Sequence, residues 1–211
     1  MKLKCNLDEK VYQTLCEGFA DGSYRAGQPL SPAELCERYG TSRTPIIQAL
    51  KRMVAEGIIR VNGTGKYSIP EVSPAYLQEM FETREMFECA CAQALCENIS
   101  PEQLAELETL CEEVIAARRT DAQLFMQLDT RLHSLMVRYS GNATLDSFYQ
   151  LLSKRLLVAT YSFVRDPHHS KSTDEEHRRM VALIREGKGE QLRQLLAYHI
   201  SAVRRRLAGE D

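Results

Sequence analysis

The chain has 211 residues, 44% of them hydrophobic, and a formal net charge of −2 at pH 7. This length allows one large domain or two small ones, and the apolar content suffices for a core. No apolar run approaches the ~18 residues that a membrane-spanning helix needs, and no signal peptide is recognisable, so we expect a soluble, cytoplasmic protein with no membrane partner. The seven cysteines contain no C-x-x-C motif, which argues against a zinc knuckle or a thioredoxin-type site and favours reduced, buried thiols.

Residues 1–70 are modestly basic, with 10 Lys and Arg against 7 Asp and Glu, and they carry the signals of three helices and a hairpin. Helices are predicted over 11–20 and 31–39, and Gly40 then supplies a tight turn. A third helix has Pro45 in its first turn and ends at Gly57. Residues 58–61 and 67–69 are predicted strands around a flexible basic loop. The apolar stripe of the third helix consists of Ile46, Ala49, Leu50 and Met53.

A helix suited to a major groove, followed by such a hairpin, predicts a winged helix-turn-helix that binds a double-stranded DNA operator. We expect Arg43 to contact bases or fix the register, and Gln48 is suited to read adenine. Lysine and arginine side chains on the helix and in the loop can contact phosphates. The predicted DNA-binding residues are Arg43, Thr44, Gln48, Lys51, Arg52 and Lys66.

Every segment after residue 70 has helical periodicity, and no strand signal appears there. Helices are predicted over 74–97, 101–118, 122–139, 143–165, 173–186 and 189–207, with short, well-marked breaks between them. Six such helices predict an antiparallel bundle. The fold class is therefore mostly α: a winged helix-turn-helix over 1–70, a linker and helix start over 71–78, and an all-α domain over 79–211.

Four polar residues fall on apolar stripes of these helices. Asp129 and His133 are neighbours on one face, and His177 and His199 lie among apolar residues of two other helices. One interpretation is a hydrogen-bonded Asp129–His133 pair with two satisfied core histidines. The other is one divalent transition metal per chain, namely zinc, nickel, iron or manganese, with positions left open for a ligand. His168 and His169 follow an Asp-Pro break and are expected to be exposed.

Both halves of the chain resemble a known family. Ser42-Arg43-Thr44-Pro45, Ala49-Leu50 and Glu56-Gly57 resemble the GntR family of bacterial transcription regulators. The helical part resembles the FCD ligand-binding domain in the order and spacing of four motifs: Asp129-x-x-x-His133, Gly141-Asn142, Glu176-His177 and His199. The resemblance implies that the bundle senses a small organic acid whose carboxylate reaches the metal.

The resemblance also implies that an arginine near the start of the bundle's first helix helps to bind the carboxylate of the effector. Arg84 stands at the matching place and can hold a carboxylate bidentately. The alternative for Arg84 is a surface i,i+4 pair with Glu88. Arg155 and Tyr161 are weaker effector-binding candidates, because inward polar groups on their helix can line the same cavity.

The sequence departs from the family where DNA is read. In the family, Thr-Pro and a hydrophobic residue are usually followed by Arg and Glu, but this chain has Ile47 and Gln48 at those positions. In the second helix, Pro32-Ala33 replaces a common Glu-Arg pair. We therefore expect an atypical operator or weaker binding.

We interpret the chain as a homodimeric, ligand-responsive DNA-binding transcriptional regulator and not an enzyme. Two alternatives stay open: a dimeric sensor that has lost DNA binding, and a metal-dependent enzyme built on the bundle.

Overall fold

The computed structural model describes residues 7–20, 23–24, 26–161 and 171–209. The chain divides into two compact units, Met1–Val72 and Ser73–Asp211. Within the described ranges, no helix combines the length and the apolarity that crossing a membrane requires.

The described residues of the first unit form three helices and a small antiparallel sheet whose strand order is β1-β3-β2. The hairpin and the three helices were predicted, whereas β1 was not, because two residues carry no detectable periodicity. The first helix begins four residues before its predicted start, with Asp8 and Glu9 in its first turn, where acidic side chains favour a helix. The elements are α1 (Leu7–Ala20), β1 (Pro29–Leu30), α2 (Pro32–Tyr39), α3 (Arg43–Ala55), β2 (Arg60–Val61) and β3 (Tyr67–Ser68).

The apolar stripe of α3 forms the core of this unit. Ile46, Leu50 and Met53 are fully buried, and α3 packs against both α1 and α2. The side chain of Ser31 accepts a hydrogen bond from the backbone of Glu34, and a proline occupies the first turn of α2. The turn between α2 and α3 uses Gly40 at a φ of 59°, in the left-handed region that favours glycine. These features hold one face of α3 inward and leave the other exposed.

In the second unit, residues 73–161 and 171–209 form the predicted bundle of six helices. Their observed bounds agree with the predicted ones within two residues, except that predicted residues 162–165 lie outside the described part of the chain. Serine and aspartate caps begin three of the helices, and Ser100 forms a full capping box with Gln103. The helices are α4 (Pro74–Asn98), α5 (Pro101–Arg118), α6 (Ala122–Tyr139), α7 (Ala143–Tyr161), α8 (Lys171–Arg185) and α9 (Gly189–Ala208).

Helix α4 is central to the bundle and packs against α6, α7, α8 and α9. It lies close to α9 at Gly189, where an added Cβ would lie 2.7 Å from the Cα of Gln93, so a larger residue there would force the two helices apart. An apolar core that includes Leu95, Leu132 and Leu192 fills one part of the bundle. The polar residues predicted to face inward lie beside this core.

Candidate functional site

Four side chains from three helices converge in the second unit. Asp129 and His133 come from α6, His177 from α8 and His199 from α9, and each offers one ligand atom within 4.8 Å of the others. The three imidazoles are at most 1% exposed. The Oδ1 atom of Asp129 lies 3.1 Å from Nε2 of His177 and 4.0 Å from Nε2 of His133. Asp129 and His133 therefore form no direct hydrogen bond, although this bond was one of the two interpretations of the sequence.

Three buried imidazole nitrogens have no hydrogen-bond partner among the described residues. This holds for Nε2 of His133 and for both ring nitrogens of His177, whose close approach to Asp129 lacks the direction of a hydrogen bond. An unsatisfied buried polar atom costs roughly 1–3 kcal/mol. A cation bound to Nε2 of His133, to one ring nitrogen of His177 and to the carboxylate of Asp129 would satisfy two of these three nitrogens, so the donor set fits a bound metal.

A second layer of carboxylates fixes the orientation of two imidazoles. Nδ1 of His133 lies 2.6 Å from Oε2 of Glu88, and Nδ1 of His199 lies 2.7 Å from Oε2 of Glu176. Each contact occupies the outer ring nitrogen and leaves Nε2 facing inward, as in known metal sites. Sequence reasoning named both glutamates without assigning them this role. The sequence offered only indirect signals for this role: Glu88 lies four residues after Arg84, and Glu176 directly precedes His177.

Glu88 is the centre of a buried network. Its Oε1 accepts hydrogen bonds from Nε of Arg84 at 2.6 Å and from the hydroxyl of Tyr149 at 2.5 Å. Burial opposes ionisation, but Arg84 and His133 outweigh it and hold the pKa of Glu88 below its ordinary range. The Arg84–Glu88 pair is thus buried and not the surface pair considered from sequence.

The electrostatics favour an ionised carboxylate beside a neutral imidazole. Burial opposes ionisation of Asp129, yet His177, His133 and Arg84 hold its pKa well below the ordinary value. Burial lowers the pKa of His199 to about 4, against the opposing effect of Glu176. His199 is therefore neutral at neutral pH and keeps its lone pair available. One carboxylate and three imidazoles suit zinc, nickel, iron or manganese better than calcium or magnesium.

A cavity of about 100 Å³ adjoins these ligands. Arg84 lines it, as predicted for an effector-binding residue, whereas Arg155 is not among the lining residues and the side chain of Tyr161 lies outside the described part of the structure. Sequence reasoning did not find Tyr149, Ser153, Thr173 or Arg206. The polar lining residues are Arg84, Asp129, Thr130, His133, Tyr149, Ser153, Thr160, Thr173, His199 and Arg206.

The first unit presents a polar helix face. Thr44, Gln48 and Lys51 are exposed on the side of α3 opposite its buried stripe, and Arg43 is exposed at its start. Lys66 is exposed in the loop between β2 and β3. The Oδ1 atom of Asn62 accepts hydrogen bonds from the backbone of Thr64 and Lys66, which orders this loop.

Arg52 differs from the other predicted DNA-binding residues because it is held within the unit. Its guanidinium contacts Glu9 at 2.5 Å and Glu56 at 3.0 Å and lies over the ring of Tyr12. These contacts join α3 to α1 and leave Arg52 less available to a phosphate than Lys51. Pro32, one of the departures from the family pattern, also has a structural role as the first residue of α2.

Comparisons with known proteins match both units. Residues 7–65 match the model described as bacterial regulatory proteins, gntR family, and residues 79–202 match the FCD domain model. The chain is 25% identical to the galactonate operon transcriptional repressor of Escherichia coli over 96% of this chain and 97% of that protein. The fold resembles Escherichia coli McbR/YncC, with a TM-score of 0.87 at 22% identity over 97% and 98% of the two chains. It also resembles a GntR-type regulator from Rhodococcus sp. RHA1, with a TM-score of 0.83 at 16% identity over 97% and 98%.

Proposed function

Since the chain belongs to the GntR family of bacterial transcriptional regulators and carries an FCD domain, we propose that its helical unit senses a small carboxylic acid at a bound divalent metal. The observation that carries this proposal is the set of buried imidazole nitrogens that face one another without partners. Asp129, His133, His177 and His199 would hold the ion. When bound, the metal supplies a Lewis-acidic centre that attracts an anionic ligand.

The surrounding side chains suit the carboxylate of an effector. Arg84 brings a guanidinium to the cavity wall, where its pairing with Glu88 fixes its position. Tyr149 donates to the same glutamate, so the wall is rigid before a ligand arrives. Such preorganisation lowers the entropic cost of binding. A relative named for a galactonate operon is consistent with an acid as effector.

The first unit is the DNA-binding part of this regulator. Lys51 and Lys66 are placed to contact phosphates, whereas Arg43 and Gln48 are placed to contact base edges. Their exposure argues against a sensor that has lost DNA binding, although Ile47 removes one commonly used arginine. We expect an operator that differs from the family's usual one at the positions which that arginine reads.

A homodimer is part of the proposal, because one winged helix reads one half-site and a symmetric pair reads two. In the described part of the bundle, large exposed apolar side chains include Met86 on α4 at 72%, Phe148 on α7 at 60% and Tyr198 on α9 at 59%, and α4 packs against both α7 and α9. A partner subunit would cover such residues. Effector binding would then shift the population of dimer conformers that match the operator.

The relatives are regulators and not enzymes, so the metal is assigned to sensing rather than to turnover. The test is fluorescence anisotropy with DNA from the region upstream of the protein's own gene. We expect carboxylic acids to change the DNA affinity of zinc-loaded protein and to have no effect on chelated protein. Arg84→Gln should remove the response, while the exposed control Arg193→Gln should keep it. An equal response without metal would contradict the proposal.

A further inference from the structure

The cavity wall has a second cationic group, Arg206, in addition to Arg84. On α9, His199 and Arg206 both line the cavity, and the helical rise separates their Cα atoms by roughly 10 Å. Nε of Arg206 donates to the carbonyl of Ala202 at 3.1 Å, so the side chain folds back along α9 toward His199. On α8, Thr173 likewise lies one turn from His177. Arg206 and Thr173, which are hydrogen-bonded to each other, therefore form a polar part of the cavity wall that includes none of the four proposed metal ligands.

Arg206 forms no direct ion pair with the described residues, in contrast to two other arginines of the bundle, although its charge acts on nearby Glu176. Arg84 is paired with Glu88, and Arg118 is paired with Asp174. Nη1 of Arg206 donates to the hydroxyl of Thr173 at 3.0 Å. Across the described ranges, no carboxylate oxygen lies within 4.0 Å of the Arg206 guanidinium, and nearby Glu176 is hydrogen-bonded to His199. A half-buried guanidinium facing a largely apolar cavity is suited to an incoming anion.

The volume of the cavity limits the size of a ligand that could contact both the proposed metal site and Arg206. One water-sized position takes about 10–15 Å³, so 100 Å³ admits roughly seven to ten non-hydrogen atoms. Apolar side chains, among them Met126, Leu156 and Val203, line the wall as well. These surroundings suit a short carbon chain with an acidic group at each end.

We propose that the effector is a short dicarboxylic acid: one carboxylate reaches the metal and Arg84, and the other is bound by Arg206 and Thr173. This inference rests on the proposed acid-sensing function and adds the second acidic group. The structure assigns Arg206 as the residue that distinguishes dicarboxylates from monocarboxylates of equal length.

Isothermal titration of the full-length, zinc-loaded protein tests this assignment with succinate against butyrate and glutarate against pentanoate. We expect the dicarboxylate of each pair to bind about tenfold tighter or more, the usual scale for a charge-assisted hydrogen bond. Arg206→Gln should weaken dicarboxylate binding about tenfold more than monocarboxylate binding and so abolish this preference, and Arg206→Lys should restore part of it. Arg205→Gln is the matched control, because Arg205 contacts Ser201 and does not line the cavity.

The outcomes separate this inference from the function on which it rests. If neither class of acid binds zinc-loaded protein, the acid-sensing function fails and the inference fails with it. If both classes bind equally, or if Arg206→Gln weakens both equally, the second anionic subsite alone is wrong. Tighter binding of gluconate than of succinate would also overturn it, since hydroxyl groups would then replace the second acid. The unliganded melting temperature of each variant shows whether it folds like the parent.

Discussion

Replacement of Glu176 tests whether the carboxylates behind the histidines support a metal site. Glu176 is 8% exposed, and its Oε2 lies 2.7 Å from Nδ1 of His199. A hydrogen bond to a charged group contributes about 1.5–3 kcal/mol, against about 0.5–1.5 kcal/mol for a neutral pair. Glu176→Gln keeps an acceptor and should lose about 1 kcal/mol, which is roughly a fivefold to tenfold loss of zinc affinity.

Glu176→Ala removes the orienting partner altogether and should weaken zinc binding by about 10–100-fold. The assay is a competition titration of zinc between the protein and a chromophoric chelator. Glu175→Gln is the control, because this glutamate is adjacent in sequence and exposed. Parental zinc affinity in Glu176→Ala would refute the idea that Glu176 positions His199 toward a metal.

Two further predictions concern the DNA-binding unit and the bundle. Lys51→Ala should reduce the slope of log DNA affinity against log salt concentration by about 1. Arg52→Ala should reduce this slope less and should lower the melting temperature, since Arg52 joins α3 to α1. Equal slopes for the two variants in salt-dependent fluorescence anisotropy would contradict this prediction. Ser100→Ala removes the capping box of α5 and should lower the free energy of unfolding, measured with urea, by about 1 kcal/mol. The control Thr109→Ala, at an exposed site within α5, removes no cap and should lower the free energy of unfolding less.

Helical periodicity predicted most of the fold because the helices bury apolar stripes and several of them begin at a recognisable cap. Asp129 and His133 could be placed on one inward face from their spacing alone. The two-residue strand β1 could not be predicted, since its partners on β3 are distant in sequence and no pattern precedes the pairing. The sequence therefore predicts regular elements better than the pairings between them.

The second layer of the site was beyond the sequence for a similar reason. Glu88 looks like half of an i,i+4 pair, and only packing of α4 against α6 shows that it also holds His133. Arg206 lies two turns beyond His199 on α9, but its hydrogen bond is to Thr173 of α8, and the sequence alone could not show that this partner is a hydroxyl rather than a carboxylate. Roles that depend on contacts between helices emerge only from the folded arrangement.

The number of metal ions bound per chain tests the central claim most directly. Elemental analysis after zinc loading and gel filtration should give one ion per chain for the parent protein and none for the double variant His133→Ala/His177→Ala. The control His168→Ala/His169→Ala removes the same number of imidazoles at positions predicted from sequence to be exposed, and it should keep one ion. A folded parent protein without bound zinc, or a double variant that still holds one ion per chain, would contradict the proposed metal site.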